Sequence, residues 1–279
     1  MTEPMTAVMS RHRCVEADRS EAALRINGVR LDPLAPDQLP ARVCSFVSCG
    51  LSHVIHFLPA HPTVIARSNP AYRDVLNRGD LNLVDGASVA LAARLFGHTA
   101  ARTTGSDALL MLPRLGLRSR LRHYLYGGAP QVVAQLKERF ERDCPGIEVV
   151  GVESPPFRDL DNEELVRTAT RIREAGTDLL WVGIGTPRQD LVADRLRTLA
   201  AAPVILCVGA AFDFVAGSKR RAPRWVRWIG MEWLFRLGTE PRRLWRRYLV
   251  GNGQFLAGVL GDAIFRRSPD RSSKGSWQS

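Results

Sequence analysis

The chain has 279 residues, 45% of them hydrophobic, and a formal charge of +11, which fits a folded protein of one large domain or a core with an appendage. The charge is local: residues 218–248 hold ten Lys/Arg and two Glu, a net of +8, implying a polyanionic partner for that segment such as nucleic acid, anionic lipid or a phosphorylated substrate. Five cysteines, Cys14, Cys44, Cys49, Cys144 and Cys207, form no CxxC pair, which argues against a disulfide framework or a zinc knuckle and favours a reducing compartment.

Residues 1–22 are polar, charged throughout and lack an apolar block, so a mobile extension without a secretory signal is expected. Strands are then predicted over 42–47, 81–84, 123–127, 147–151, 178–185 and 202–209, and helices over 63–78, 87–96, 130–143, 161–175 and 187–199. Alternation of strand and helix predicts an α/β core over 23–217 with a mostly parallel sheet covered on both faces. The most apolar run, AAPVILCVGAAF from Ala201, is too short to span a bilayer. From 218 to 265 the pattern turns helical, basic and aromatic, the character of an appendage, and 266–279 reads as a disordered tail.

Ligands of open α/β sheets gather outside the carboxyl ends of the strands, so the turns there carry the candidate residues. In LNLVDGAS, Asp85 follows an apolar strand and Gly86 allows a tight turn or a close approach to a ligand. The carboxylate suits a general base or a ribose contact, but the motif taken alone favours an N-cap for the helix from Ala87. In LYGGAPQVV, Gly127 and Gly128 precede Pro130 at a helix start, where amides can meet phosphate. The turn has neither GxGxxG spacing nor a P-loop lysine, and a plain strand-to-helix turn explains it as well. In VGIGTPRQD, Gly183, Gly185 and Pro187 give close access to a ligand, with Gln189 placed to hydrogen-bond a sugar or base and Asp190 beside it, although a turn plus a helix start explains most of the pattern. Asp213 interrupts an apolar run and is expected to cap backbone or pair with an arginine. His53, His56 and His61 lie close together without a matching Cys or carboxylate pattern, so no metal or cofactor is expected.

Taken in order, VDGASVALAARLFG, RTTGSD, YGGAP, PGIEVVG, GIGTPRQD, VGAAFDFVAGSKRRAP and EWLFRLGTEPRRLWRRY resemble the TagA/WecG/CpsF family of bacterial glycosyltransferases, over about residues 42–250. The resemblance implies a Rossmann-like core of the GT-E type with a helical C-terminal appendage. It implies an inverting, metal-independent transfer of an N-acetylmannosamine-type or related sugar, from a UDP-sugar to an undecaprenyl-diphosphate-linked acceptor, in polysaccharide or teichoic-acid-type biosynthesis. Asp85 matches the family's base, and Arg102 matches the arginine of its R-x-x-G-x-D motif, ahead of Gly105 and Asp107. Gln189 matches the glutamine of G-x-P-x-Q-E, whose final Glu is Asp190 here, a shorter side chain of the same charge. Arg236, Arg243 and Arg246 match arginines of the appendage. One departure stands out: aligning the asparagine of the family's Thr-x-Asn pattern with Pro59 places its threonine at Phe57, and neither residue donates a side-chain hydrogen bond. His56 or His61 is then the substitute, or the substrate preference differs.

Trp225, Trp228, Trp233 and Trp245 lie inside the basic segment, suited to the lipid headgroup level while arginines face phosphate. This predicts an appendage that docks on the cytoplasmic face of the plasma membrane and closes over the active site; burial of the rings as ordinary core is the competing expectation. Pro241 is expected to start a second helix, which would separate Arg236 from Arg243 and Arg246. Self-association in solution is a further expectation for such a surface. A nucleic-acid binder and a nicotinamide-dependent enzyme are the alternative readings; the first has no accompanying recognition motif and the second no glycine fingerprint.

Overall fold

The computed structural model describes residues 24–98, 101–219, 222–223, 226, 231–245 and 250–267. A hairpin of β1 (Leu24–Ile26) and β2 (Val29–Leu31) opens it, turning at Asn27 and Gly28, whose φ values of 54° and 77° meet the demand of a two-residue primed turn. Then follow α1 (Leu39–Ser48), β3 (His53–Leu58), α2 (Ala60–Ser68), α3 (Pro70–Arg78), β4 (Leu81–Val84), α4 (Ala87–Leu95) and α5 (Gly105–Gly116). The second half continues through β5 (Arg122–Gly127), α6 (Pro130–Asp143), β6 (Glu148–Glu153), α7 (Asn162–Glu174), β7 (Leu179–Gly183), α8 (Arg188–Thr198), β8 (Val204–Cys207) and α9 (Ala211–Ala216). The described helices after that are α10 (Glu232–Thr239), α11 (Pro241–Trp245) and α12 (Gly251–Arg267).

Six strands form one parallel sheet in the order β4-β3-β8-β7-β5-β6. Side chains alternate across it: Ile55, Leu179, Trp181, Val204 and Leu206 join one cluster with α1, α5, α6 and α9, while Val54, Leu180, Val182, Ile205 and Cys207 join another with α7 and α8. A third cluster, at the β4 end, gathers β1, β2, α2, α3 and α4, and takes Phe255 and Val259 from α12. The protein is therefore a three-layer α/β structure of Rossmann-like character.

The chain leaves β5 through α6 toward β6 and leaves β7 through α8 toward β8, in opposite directions along the sheet. Right-handed crossovers consequently put α6 and α8 on opposite faces, and the β5 and β7 tips are the switch point of the sheet, where ligands of such folds gather.

Three expectations need correction. RVCSFV is helix, not strand: Leu39, Val43 and Phe46 recur at helical spacing and are all buried on the sheet. The single helix expected over 63–78 is two, broken at Asn69, whose side chain accepts from Tyr72 N at 3.0 Å and caps the second. The strand β3, next to the sheet edge and unforeseen, carries His53 and His56 on its buried faces.

Candidate functional site

All six strands point their carboxyl ends to the same edge, and the candidate turns line it. At the β4 tip, Asp85 N donates to Leu58 O at 3.2 Å, and Gly86 takes the N-cap position of α4. Asp85 is thus one residue ahead of the cap. Its Oδ2 instead accepts from Gly105 N, at 3.3 Å, on the first residue of α5. That helix start is fixed by Thr104, whose Oγ1 accepts from Asp107 N at 3.1 Å and donates to Asp107 Oδ2 at 2.7 Å. The carboxylate therefore faces the positive end of a helix. Gly105 packs closely there: a Cβ would come within 3.2 Å of the Val208 backbone at the β8 tip.

Arg102 completes this group. Its Nε donates to the Asp85 carbonyl at 2.6 Å, and its Nη2 to Glu232 Oε2 on α10 at 3.0 Å. Pro59 lies close by, its Cα 3.1 Å from where a Gly86 Cβ would stand. Phe57, in contrast, is buried in the core cluster beneath, and His56 is buried with Asp190. Of the positions aligned with the Thr-x-Asn pattern, only Pro59 is beside Asp85.

A second group lies at the β5, β7 and β8 tips. Gly127 and Gly128 have φ of 137° and 71°, and a Cβ on Gly127 would stand 2.5 Å from the Gly183 carbonyl carbon. Gly128 N donates to Gly183 O at 3.1 Å, which pins the two turns together. Gly183 backs onto the Phe212 ring, whereas Gly185, at φ 84°, has open space around it. The Thr186–Pro187 peptide is cis and Pro187 caps α8. Gln189 is buried: its Nε2 donates to Cys207 O at 3.3 Å, and its Oε1, without a hydrogen-bond partner among the described residues, is 3.1 Å from a Cβ built on Gly209. These tips stand two to four strands from β4, up to about 19 Å at the usual inter-strand spacing. That is the scale of an extended nucleotide sugar rather than of a single hydrogen bond.

Asp190 faces inward. Its Oδ1 pairs with His56 Nδ1 at 2.9 Å and its Oδ2 accepts from the Tyr72 hydroxyl at 2.6 Å, all three residues buried. With Cys207, these groups make a His–Asp–Cys cluster whose potential ligand atoms lie within 4.8 Å of one another. Both Asp190 oxygens are already accepting hydrogen bonds, and burial pushes the Cys207 thiol well up, against the thiolate a metal would need. The cluster reads as a satisfied polar network that holds α8 against β3 and α3.

In the appendage, α10 ends at Thr239 and α11 begins at Pro241, so the helix is interrupted between Arg236 and Arg243. The side chains of these two arginines, and the whole of Arg246, Trp225 and Trp228, lie outside the described residues. Sequence reading missed Glu232 and the amide of Gly105; the only signal for Glu232 was its charge in a run of basic and apolar residues.

Residues 24–269 match the model of the Glycosyl transferase WecG/TagA/CpsF family. Two curated relatives carry the name N-acetylglucosaminyldiphosphoundecaprenol N-acetyl-beta-D-mannosaminyltransferase. The one from Bacillus spizizenii is 33% identical over 185 residues, 66% of this chain and 70% of that protein. The one from Bacillus subtilis is 27% identical over 221 residues, 73% of this chain and 84% of that protein.

Proposed function

Because the chain belongs to the WecG/TagA/CpsF family and is a glycosyltransferase, we propose that it moves an N-acetylmannosamine-type sugar from UDP to N-acetylglucosamine carried on undecaprenyl diphosphate, with inversion and without a divalent metal. The observation that supports this reading is the meeting of Asp85, after β4, with Arg102, before α5, at the sheet edge: the Asp85 carboxylate accepts from Gly105 N and the Asp85 carbonyl accepts from Arg102 Nε.

In this scheme the acceptor hydroxyl oxygen bonds to the anomeric carbon from the face opposite UDP. The carbon–oxygen bond to the diphosphate breaks with its electron pair, and the hydroxyl proton passes to the Asp85 carboxylate. The hydrogen bond from Gly105 N sets the direction in which that carboxylate points. Charge growing on the departing diphosphate meets the Arg102 guanidinium, already anchored through Nε. The nucleoside end extends along the sheet edge toward the β5 and β7 tips, where the turns of Gly127, Gly128, Gly183 and Pro187 are packed together, Gly185 has open space around it and Gln189 sits below. The basic appendage, with Arg236, Arg243 and Arg246, brings in the lipid diphosphate from the membrane surface.

The test is a panel of UDP-sugars with a lipid-diphosphate-linked N-acetylglucosamine acceptor, with and without chelator. UDP-N-acetylmannosamine is expected to turn over, and to keep doing so in the chelator. Asp85→Asn is expected to lose about 10²–10⁴-fold in kcat while binding the UDP-sugar nearly as well. Absence of transfer from every UDP-sugar, or full activity in Asp85→Asn, refutes the reading.

A further inference from the structure

Arg102 bonds in different directions, among them one bond to the Asp85 carbonyl and one to the first residue of α10. The partner there, Glu232, is 13% exposed and Arg102 26%, so the ion pair is partly withdrawn from water and less screened than a surface pair. At the other end of the same helix, Lys219 Nζ meets Glu240 Oε1 at 2.9 Å. No described α10 side chain belongs to the three buried apolar clusters. Charged contacts thus tie α10 at both ends, and one of them ends on Arg102, which in turn donates to the carbonyl of the proposed base.

We infer that Glu232 is a positioning residue of the transfer reaction: it clasps α10 to the Asp85 loop and aims the Arg102 guanidinium, so that the seat of the appendage and the set of the active-site arginine form one coupled state. This rests on the proposed function for its catalytic meaning, though not for the clasp itself. A carboxylate suits the task. It balances the charge of Arg102 until a diphosphate arrives, and it meets one arm of a planar fork whose Nε is fixed on the Asp85 carbonyl. A glutamine at 232 keeps the shape and loses the charge-assisted part of the bond.

The experiment is amide hydrogen exchange over residues 231–245 of the full chain, with transfer assayed in parallel. Glu232→Gln and Arg102→Gln are each expected to speed exchange in that segment about fivefold or more, leaving β5 and β7 unchanged. The exchange-restoring variant is the double swap Arg102→Glu with Glu232→Arg, expected to return the segment to within about twofold of the parent while transfer stays lost, because residue 102 no longer presents a cation. Parent-like exchange in Glu232→Gln overturns the inference. A folded double swap that exchanges as fast as the single variants overturns it too. If the double swap does not fold, agreement of the two single variants on the same segment supports the clasp and disagreement refutes it. Exchange that follows the pattern in a protein that transfers no sugar leaves the clasp standing and removes the proposed function.

Discussion

Asp190 sits one residue from Gln189 yet faces the opposite environment, and its neighbours set a measurable cost. Replacing it with Asn turns one acceptor into a donor, which then faces either the His56 ring nitrogen or the Tyr72 hydroxyl in a dry interior. The expected loss is about 2–4 kcal/mol in urea denaturation, with the m-value unchanged. At Gly127, a methyl group would overlap the Gly183 backbone in a conformation that L residues rarely adopt, and Gly127→Ala is expected to lose on the order of 3 kcal/mol or to fail to fold. His123 makes stability depend on pH. Trp181 Nε1 donates to its Nδ1 at 3.0 Å, and burial pushes its pKa down to about 4 from an ordinary 6.5. The unfolded chain therefore binds a proton between these values that the folded chain refuses, so this contribution is complete above pH 6.5 and is lost as the pH falls toward 4. The loss amounts to on the order of 3 kcal/mol. Urea midpoints from pH 7 to 4.5 should fall less steeply in His123→Gln, which keeps an acceptor for Trp181 but does not titrate.

At the scale of elements, legibility in the sequence followed whether an element carried its own signal. The strands β4, β5 and β7 are apolar runs ending in Gly or Asp, and α6 begins at Pro130, as expected from the sequence. HVIHFL was missed as a strand because two histidines disguise it; what makes them tolerable inside is Asp80, 3.1 Å from His53, and Asp190, 134 residues away in sequence from His56. RVCSFV has strand-like residues, but the sheet behind it selects the helical face instead. The Asn27–Gly28 pair was a readable hairpin signal that went unused. In the site, Asp85 and Gln189 were legible in the turns after strands and Arg102 through the family resemblance, whereas Glu232 depends on a contact between two distant elements and has no local mark. Of the appendage, α12 depends on the core as well: Phe255 and Val259 are buried against it, Asp262 Oδ2 accepts from Asn27 N at 2.7 Å, and a Cβ on Gly258 would run into Asn27 Oδ1 and Arg67. Gly258→Leu is expected to cost about 1–3 kcal/mol and to speed hydrogen exchange in 251–267 above that of the sheet. Exchange unchanged in that helix would mean that it is not held by this close approach.

Over the whole molecule, charge and apolar surface are unevenly placed in a way that bears on where the enzyme works. No helix among the described residues is long and apolar enough to cross a membrane. On α12, however, a face turned away from Phe255 and Val259 exposes Leu256, Leu260 and Ile264 at 60%, 63% and 66%, a four-residue repeat that keeps them on one side. The segment before it holds the net +8 of residues 218–248. An apolar stripe beside a cationic segment suits an interface of anionic headgroups over acyl chains, where each basic residue near the surface adds about 1 kcal/mol and each buried methylene about 0.8 kcal/mol. The protein is expected to sediment with phosphatidylglycerol vesicles at about 0.1 M salt and to be largely released at about 0.5 M, since the charged contribution is screened within a Debye length and the apolar one is not. Leu256→Ser with Leu260→Ser should lower the affinity at both salt concentrations by a similar factor, whereas Arg242→Glu should lower it mainly at the lower one. Binding that ignores salt, or survives the serine substitutions unchanged at both concentrations, would assign the membrane contact to some other face of the molecule.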